Sequence, residues 1–403
     1  MTVPPSTRRG APSARPVVGS SGGGSVLRTA RPGGPAVASA NPASSVPRTH
    51  VAARLEDGFD RAVAHQLRRR GWTVRIEPYA GYGATGWVRV LARTLLAAPQ
   101  VRDDELPGAG GSAQAGARSA TALRGWRSFA TAQVSGAELE VQVGDRTHTV
   151  VTDRGGYVDT ILESDLAPGW HEVRLTTSDG STATAPVHVI GPEVRYGIVS
   201  DIDDTVMVTR LPRPFVAAWN VFMRHENARE AVPGMARLYA ELRAGGQDVP
   251  VVYLSTGAWN AAPTIARFLR RHRYPAGPLL LTDWGPTNSG WFRSGPAHKV
   301  AQLRRLFTEL PDVQWVLVGD DGQRDPQIYA GAAQHFGDHV RAILIRQLTF
   351  GEHVLAHGVP VPTTDSVRAE EQAARRPDGI PVLQGADGQE LLRDVRAEGI
   401  TLS

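Results

Sequence analysis

Two apolar runs in this chain end in acids, and its one lysine lies between them. The first reads Tyr196-Gly197-Ile198-Val199-Ser200-Asp201-Ile202-Asp203-Asp204-Thr205. The second reads Val316-Leu317-Val318-Gly319-Asp320-Asp321, with Asp325 close behind. Lys299 is the single lysine among 403 residues, against 43 arginines. Arg is a planar, permanently charged fork, whereas Lys is a compact point charge suited to one phosphoryl oxygen. Carboxylates at two strand ends with an ammonium between them suit metal-dependent phosphoryl transfer. A carboxylate such as Asp201 can attack phosphorus and split hydrolysis into two displacements. A second carboxyl, Asp203, can protonate the leaving oxygen and later deprotonate water.

Other residues extend the pattern. Ser255 and Thr256 close the apolar run Val251-Val252-Tyr253-Leu254 and precede Gly257. Hydroxyls there, with Thr205 and nearby backbone N–H groups, can hold phosphate oxygens. Asp320, Asp321 and Asp325 are hard oxygen donors of the kind Mg²⁺ takes, one or two at a time, alongside water and phosphate. Each feature alone has a plainer reading. The Asp-x-Asp-x-Thr string also suits an Asx turn, Ser255 and Thr256 suit a helix N-cap, and Lys299 suits a solvated surface charge.

The elements that must position these residues divide the chain by composition. Residues 1–52 are a Gly/Pro/Ser-rich tail expected to be disordered; the first fifty hold six arginines and no acid. The remainder therefore carries 38 basic against 40 acidic side chains, so the pI of about 9.7 does not mark a basic groove and no nucleic-acid partner is expected. Residues 53–192 read as a helix, 53–70, plus a small antiparallel β-sandwich. Its strands are expected at 72–76, 87–91, 139–143, 147–151, 171–175 and 184–190, with a loop at 107–122.

From Val194 onward, unbroken apolar runs at 194–200, 249–254, 278–282, 313–318 and 340–345 alternate with helical patterns at 233–244, 261–272, 297–310 and 325–335. This is the signature of a parallel sheet covered on both faces, with its ligand beyond the carboxyl ends of the strands. Residues 193–403 are assigned to this domain, with a core at 194–350, a linker-like loop at 358–379 and a β-α extension at about 380–403. Cys is absent, which excludes disulfides, zinc–thiolate sites and cysteine nucleophiles. No apolar run approaches a membrane span, and no apolar segment follows Arg8 and Arg9, so a cytoplasmic protein is expected.

The strings Asp201-Ile202-Asp203-Asp204-Thr205-Val206, Val232-Pro233-Gly234-Met235, Tyr253-Leu254-Ser255, Gly277 to Gly285, His298-Lys299 and Gly319 to Tyr329 together resemble the haloacid dehalogenase-like phosphatase superfamily. More closely, they resemble bacterial relatives of the actin-patch phosphatidate phosphatase family, akin to the lipin catalytic domain. That resemblance spans about 194–350. It implies a capless haloacid dehalogenase-like Rossmannoid α/β sheet. Asp201 would be nucleophile and metal ligand. Asp203 would be acid/base and bind metal through its backbone carbonyl. Ser255 would bind phosphate and Lys299 would steady the transferring group, with Asp320 on Mg²⁺ and Asp325 in support.

The spacing speaks to substrate. Asp201 to Ser255 is 54 residues and Ser255 to Lys299 is 44, which leaves no room for a large cap. An open site suits a lipid phosphate in a bilayer or a phosphorylated macromolecule. Phe215, Trp219, Phe222 and Met223 form one apolar stripe at helical spacing. It reads either as core or as a membrane-dipping face at the periphery of a bilayer, with Arg210, Arg213 and Arg224 on lipid phosphates. The expected activity is a Mg²⁺-dependent phosphomonoesterase on phosphatidate or a related lipid phosphate. The alternatives are a non-catalytic phospholipid-binding module and a phosphatase for a protein or other non-lipid monoester.

Overall fold

The computed structural model describes residues 66–67, 69–97, 132–208, 229–244, 249–282, 295–349, 351–352 and 379–400. The expected tail, nearly all of the 53–70 helix, the 107–122 loop, the 211–223 stripe, the 283–285 string and nearly all of the 358–379 loop lie outside these residues. Residues 48–403 form one contact unit.

The N-terminal half of that unit is a single sheet. Its strands are β1 Thr73–Ala84, β2 Trp87–Ala97, β3 Ala132–Gln133, β4 Glu138–Val143, β5 Arg146–Val151, β6 Tyr157–Glu163, β7 Gly169–Thr177 and β8 Thr182–Ile190. They run in the order β3-β2-β1-β8-β7-β4-β5, and β6 pairs with β2. Every pairing is antiparallel except β1–β8, where Gly81–Ala84 run parallel to Val187–Ile190. Alternating side chains such as Leu139, Val141 and Val143 on β4 and Val173 and Leu175 on β7 fill its interior. The expected two-sheet sandwich is thus a nearly closed, barrel-like sheet. Part of the reason is local. β1 bulges between Tyr79 and Tyr82, and a Cβ at Gly81 or Gly83 would lie 2.1 Å or 2.3 Å from a β2 carbonyl oxygen. The glycines let the two backbones close up where β1 changes register and turns to meet β8.

The C-terminal half is a six-stranded, all-parallel sheet. It is built from β9 Tyr196–Ser200, β10 Val251–Ala258, β11 Leu279–Thr282, β12 Gln314–Asp320, β13 Val340–Arg346 and β14 Val382–Gly385. Its order is β11-β10-β9-β12-β13-β14. All but the edge strand β14 are buried almost end to end, as the apolar runs require. Between them lie α1 Met235–Leu242, α2 Ala262–Arg271, α3 Gly295–Glu309 and α4 Asp325–His335, with α5 Gly388–Ala397 after β14. α1 packs on α5, and α3 on α4. β9 comes first in the chain yet lies between β10 and β12, so the connections leave it in opposite directions. That is a topological switch point, where the strand ends part and leave a crevice.

Candidate active site

The switch point brings the two acid-tipped strands together. Asp201 follows β9 and its backbone N–H extends the ladder to Val318 on β12, at 2.8 Å. Asp320 ends β12. The turn after Asp201 is tight: the N–H groups of Val206 and Met207 both donate to Ile202 O, at 3.0 and 3.2 Å. Asp204 takes a left-handed φ of 58°, a conformation that Asp accepts more readily than most residues. Arg346, at the end of β13, holds that turn by donating from Nη1 to Asp204 O at 2.7 Å. Tyr274 OH donates to Val206 O at 2.9 Å. Behind Asp201, Ser200 Oγ donates to the Asp201 carbonyl at 2.5 Å and lies 2.6 Å from Tyr239 OH.

Lys299 rises from α3 into this cluster. Its Nζ stands 2.7 Å from Asp201 Oδ1 and 2.5 Å from Asp325 Oδ1, and its side chain is 1% exposed. A solvated surface charge is therefore excluded. Burial alone would lower the Lys299 pKa, but the adjacent Asp201 and Asp325 carboxylates reverse this and raise it above the ordinary range. Burial is the largest influence on Asp325 and pushes its carboxyl up to about 6. Lys299 opposes this shift, and the Asp201 charge adds to it. Asp201, Asp320 and Asp325 each offer a buried carboxylate oxygen, all within 4.8 Å of one another. Asp203, two residues on, is buried as well, so three clustered carboxyl groups and a fourth nearby in the chain are set against one ammonium. Such an excess of buried negative charge is stable when a cation offsets it, and this donor set can hold a divalent metal.

Asp321 is not part of the triad. Its Oδ1 accepts from Leu348 N at 2.8 Å and its N–H donates to Arg346 O at 3.0 Å, so it ties the β12 end to β13. Asp203 pairs with Ser255, whose Oγ donates to Oδ2 at 2.9 Å while accepting from Gly257 N at 2.9 Å. The Ser255 hydroxyl proton is thus committed to Asp203. Thr205 is fully buried, and its Oγ1 has no hydrogen-bond partner among the described residues. Thr256 is half-buried, its side chain against the first residue of α3, Gly295. The Thr256 and Gly257 carbonyls both accept from Thr282 Oγ1, at 2.8 and 3.2 Å.

Sequence reasoning passed over three residues that touch this machinery. Gln323 Nε2 reaches Asp201 Oδ2 at 3.4 Å. Its position in the polar string after β12 was the available signal. Arg346 and Tyr239 act through backbone and second partners, and no short motif marks either.

Residues 196–347 match the family model described as "Phosphatidate phosphatase APP1, catalytic domain". The chain is 26% identical over 202 residues to phosphatidate phosphatase APP1 of Saccharomyces cerevisiae, covering 48% of this chain and 34% of that protein. It is 29% identical over 155 residues to an uncharacterized protein of Schizosaccharomyces pombe, covering 38% and 25%. The chain thus spans about a third and a quarter of the length of these two relatives. Among solved structures, a carbohydrate acetylesterase from Xanthomonas citri aligns over 71% of this chain and 74% of its own at 11% identity. Its TM-score of 0.26 is too low to carry any argument about fold.

Proposed function

We propose that this chain is a metal-dependent phosphomonoesterase acting on phosphatidate or a related lipid phosphate through a covalent phosphoryl-Asp201 intermediate. The observation that carries the reading is the buried contact of Lys299 with both Asp201 and Asp325, beside Asp320. The match of residues 196–347 supports the same chemistry and suggests the substrate.

In this reading Lys299 holds Asp201 oriented for in-line attack and offsets charge on the transferring phosphoryl group. Asp201 Oδ forms a bond to phosphorus as the bond to the lipid oxygen breaks. Asp203 gives that oxygen its proton, with the carboxyl held in place by Ser255. Asp203 then takes a proton from water as the water oxygen attacks phosphorus, releasing inorganic phosphate and regenerating the Asp201 carboxylate. The Thr205 hydroxyl, which has no hydrogen-bond partner among the described residues, is suited to a phosphate oxygen. Asp201, Asp320 and Asp325 would hold Mg²⁺, which when bound neutralises phosphate charge.

The test is phosphate release across phosphatidate vesicles, soluble sugar and nucleotide monoesters, and a phosphopeptide, with Mg²⁺ and with EDTA. Hydrolysis of phosphatidate that is lost in EDTA and restored by Mg²⁺ is the expected result. Turnover confined to soluble monoesters or phosphopeptides would replace the lipid assignment. EDTA-resistant turnover would remove the metal.

A further inference from the structure

We infer that the barrel-like sheet is a working part of this site, because Arg89 fixes the position of the helix that carries Lys299. The inference rests on the reading of Lys299 given above. Arg89, on β2, is 1% exposed, and its fork closes on Asp159 of β6 through Nε and Nη2, both at 2.7 Å. Its remaining nitrogen, Nη1, donates to Tyr82 OH at 2.7 Å, and Tyr82 OH donates to Glu309 Oε2 at 2.5 Å. Glu309, on α3, accepts from Arg305 Nε at 2.5 Å, and Arg305 Nη1 returns to Asp159 at 3.0 and 3.1 Å. These five side chains make a closed ring of hydrogen bonds, three from the barrel and two from α3. Arg89 also reaches Gln302 Oε1 at 3.4 Å, and Gln302 is one helical turn beyond Lys299, on the same side of α3.

The ring is balanced, with two guanidinium groups and two carboxylates. Directional bonds of this kind set register, which apolar contact alone does poorly. A second contact reaches the other half of the site. Trp259 follows β10, four residues past Ser255, and packs against Tyr79 and Tyr157 of the barrel with ring centroids 4.6 and 6.1 Å apart. Tyr79, Tyr82 and Leu91 belong to the same buried cluster as Trp259 and the parallel sheet. The barrel therefore grips the Lys299 helix and the end of the strand that carries Ser255 together. Arg89 is a positioning residue: it touches neither substrate nor reacting atoms, and it acts through α3.

The experiment uses the full chain with Arg89→Met, Arg89→Lys and Tyr82→Phe. Steady-state phosphate release is measured beside amide hydrogen exchange over residues 299–309. Arg89→Met is expected to lower kcat by roughly 10- to 100-fold with KM little changed, as displaced catalytic groups do. Tyr82→Phe keeps the ring volume and removes one link, so it serves if Arg89→Met fails to fold. Its kcat should fall by a smaller factor in the same direction. Arg89→Lys keeps the charge without the fork and should not rescue. In both Arg89→Met and Tyr82→Phe, exchange along α3 should quicken while the β4–β7 amides keep wild-type protection. Unchanged kcat with only a lowered melting temperature would overturn the inference, as would a change confined to KM. If the wild-type chain turns over no monoester, the proposed function fails, and the exchange data still decide whether the ring holds α3.

Discussion

Two charge clusters, one partly exposed and one buried, sit on the same helix and are built on opposite principles. In the ring at the C-terminal end of α3, Arg89 and Arg305 meet Asp159 and Glu309, and Tyr82 links the two sides through both of its hydrogen-bonding roles. Charge is balanced there. At the N-terminal end, Lys299 meets Asp201 and Asp325, with Asp320 beside them and Asp203 buried two residues beyond Asp201. Charge there is in excess, and a buried carboxyl is driven up to about 6. The balanced cluster needs nothing further and serves architecture. The unbalanced one could hold a metal ion, and a buried, unbalanced charge cluster is the condition expected of a site for chemistry. The contrast extends to the residues chosen. The structural cluster uses the Arg fork throughout, and the other uses the only Lys in the chain.

The largest effect is expected at Asp201. Asp201→Asn should cut phosphate release by roughly 10⁴-fold or more, as loss of a nucleophile does, while the circular dichroism spectrum and melting transition stay close to wild type. Turnover within about tenfold of wild type would end the covalent mechanism. Lys299→Arg comes next. The planar guanidinium cannot occupy the same point between Asp201 and Asp325, so kcat should fall roughly 10²- to 10³-fold without loss of the fold. A fully active Lys299→Arg protein would make the lone lysine a coincidence. The metal assignment is sharpened by a pair of neighbours. Mg²⁺ should raise the melting temperature of wild type and of Asp321→Ala, and should fail to raise that of Asp320→Ala. Equal shifts in all three would remove Asp320 from the metal.

The smallest effect belongs to the balanced ring. Arg89 and Arg305 outweigh the effect of burial on Asp159 and hold its carboxyl below the usual carboxylate range. A depressed folded pKa contributes stability that is complete above the unfolded value, near 4, and is lost as pH falls through the folded value. Asp159→Asn should therefore be less stable than wild type at neutral pH, and the gap should narrow below about pH 4. A gap independent of pH would mean that Asp159 acts by packing alone.

Much of the parallel sheet was legible because five of its six strands are buried almost end to end. The runs ending at Ser200, Leu254 and Val318 are dominated by apolar residues; Asp201 follows the first directly, and Asp320 comes two residues after the third. The barrel was harder for reasons visible in single residues. Pro78, Gly81 and Gly83 read as turn punctuation, yet β1 runs through all three to Ala84, because the close approach of β2 leaves no space for a Cβ at the glycines. β6 escaped notice because its alternation is imperfect: Val158 and Leu162 point inward while Ile161 is 38% exposed. The parallel pairing of β1 with β8 joins residues about a hundred positions apart, and no local pattern encodes it. At the site, spacing along the chain located Asp201, Lys299, Asp320 and Asp325. It could not show that the Ser255 hydroxyl is turned toward Asp203, or that Asp321 faces away to Leu348.

Transfer of a phosphoryl group to Asp201 within the unbalanced cluster leaves a trace that rapid acid quench can capture, using the wild-type protein with phosphatidate labelled at phosphorus, in Mg²⁺, followed by peptide mapping. Acid-stable label is expected on the peptide containing Asp201 during turnover, chased by unlabelled substrate and absent in Asp201→Asn. Sustained phosphate release with no label on the protein, or label on a peptide lacking Asp201, would contradict that transfer.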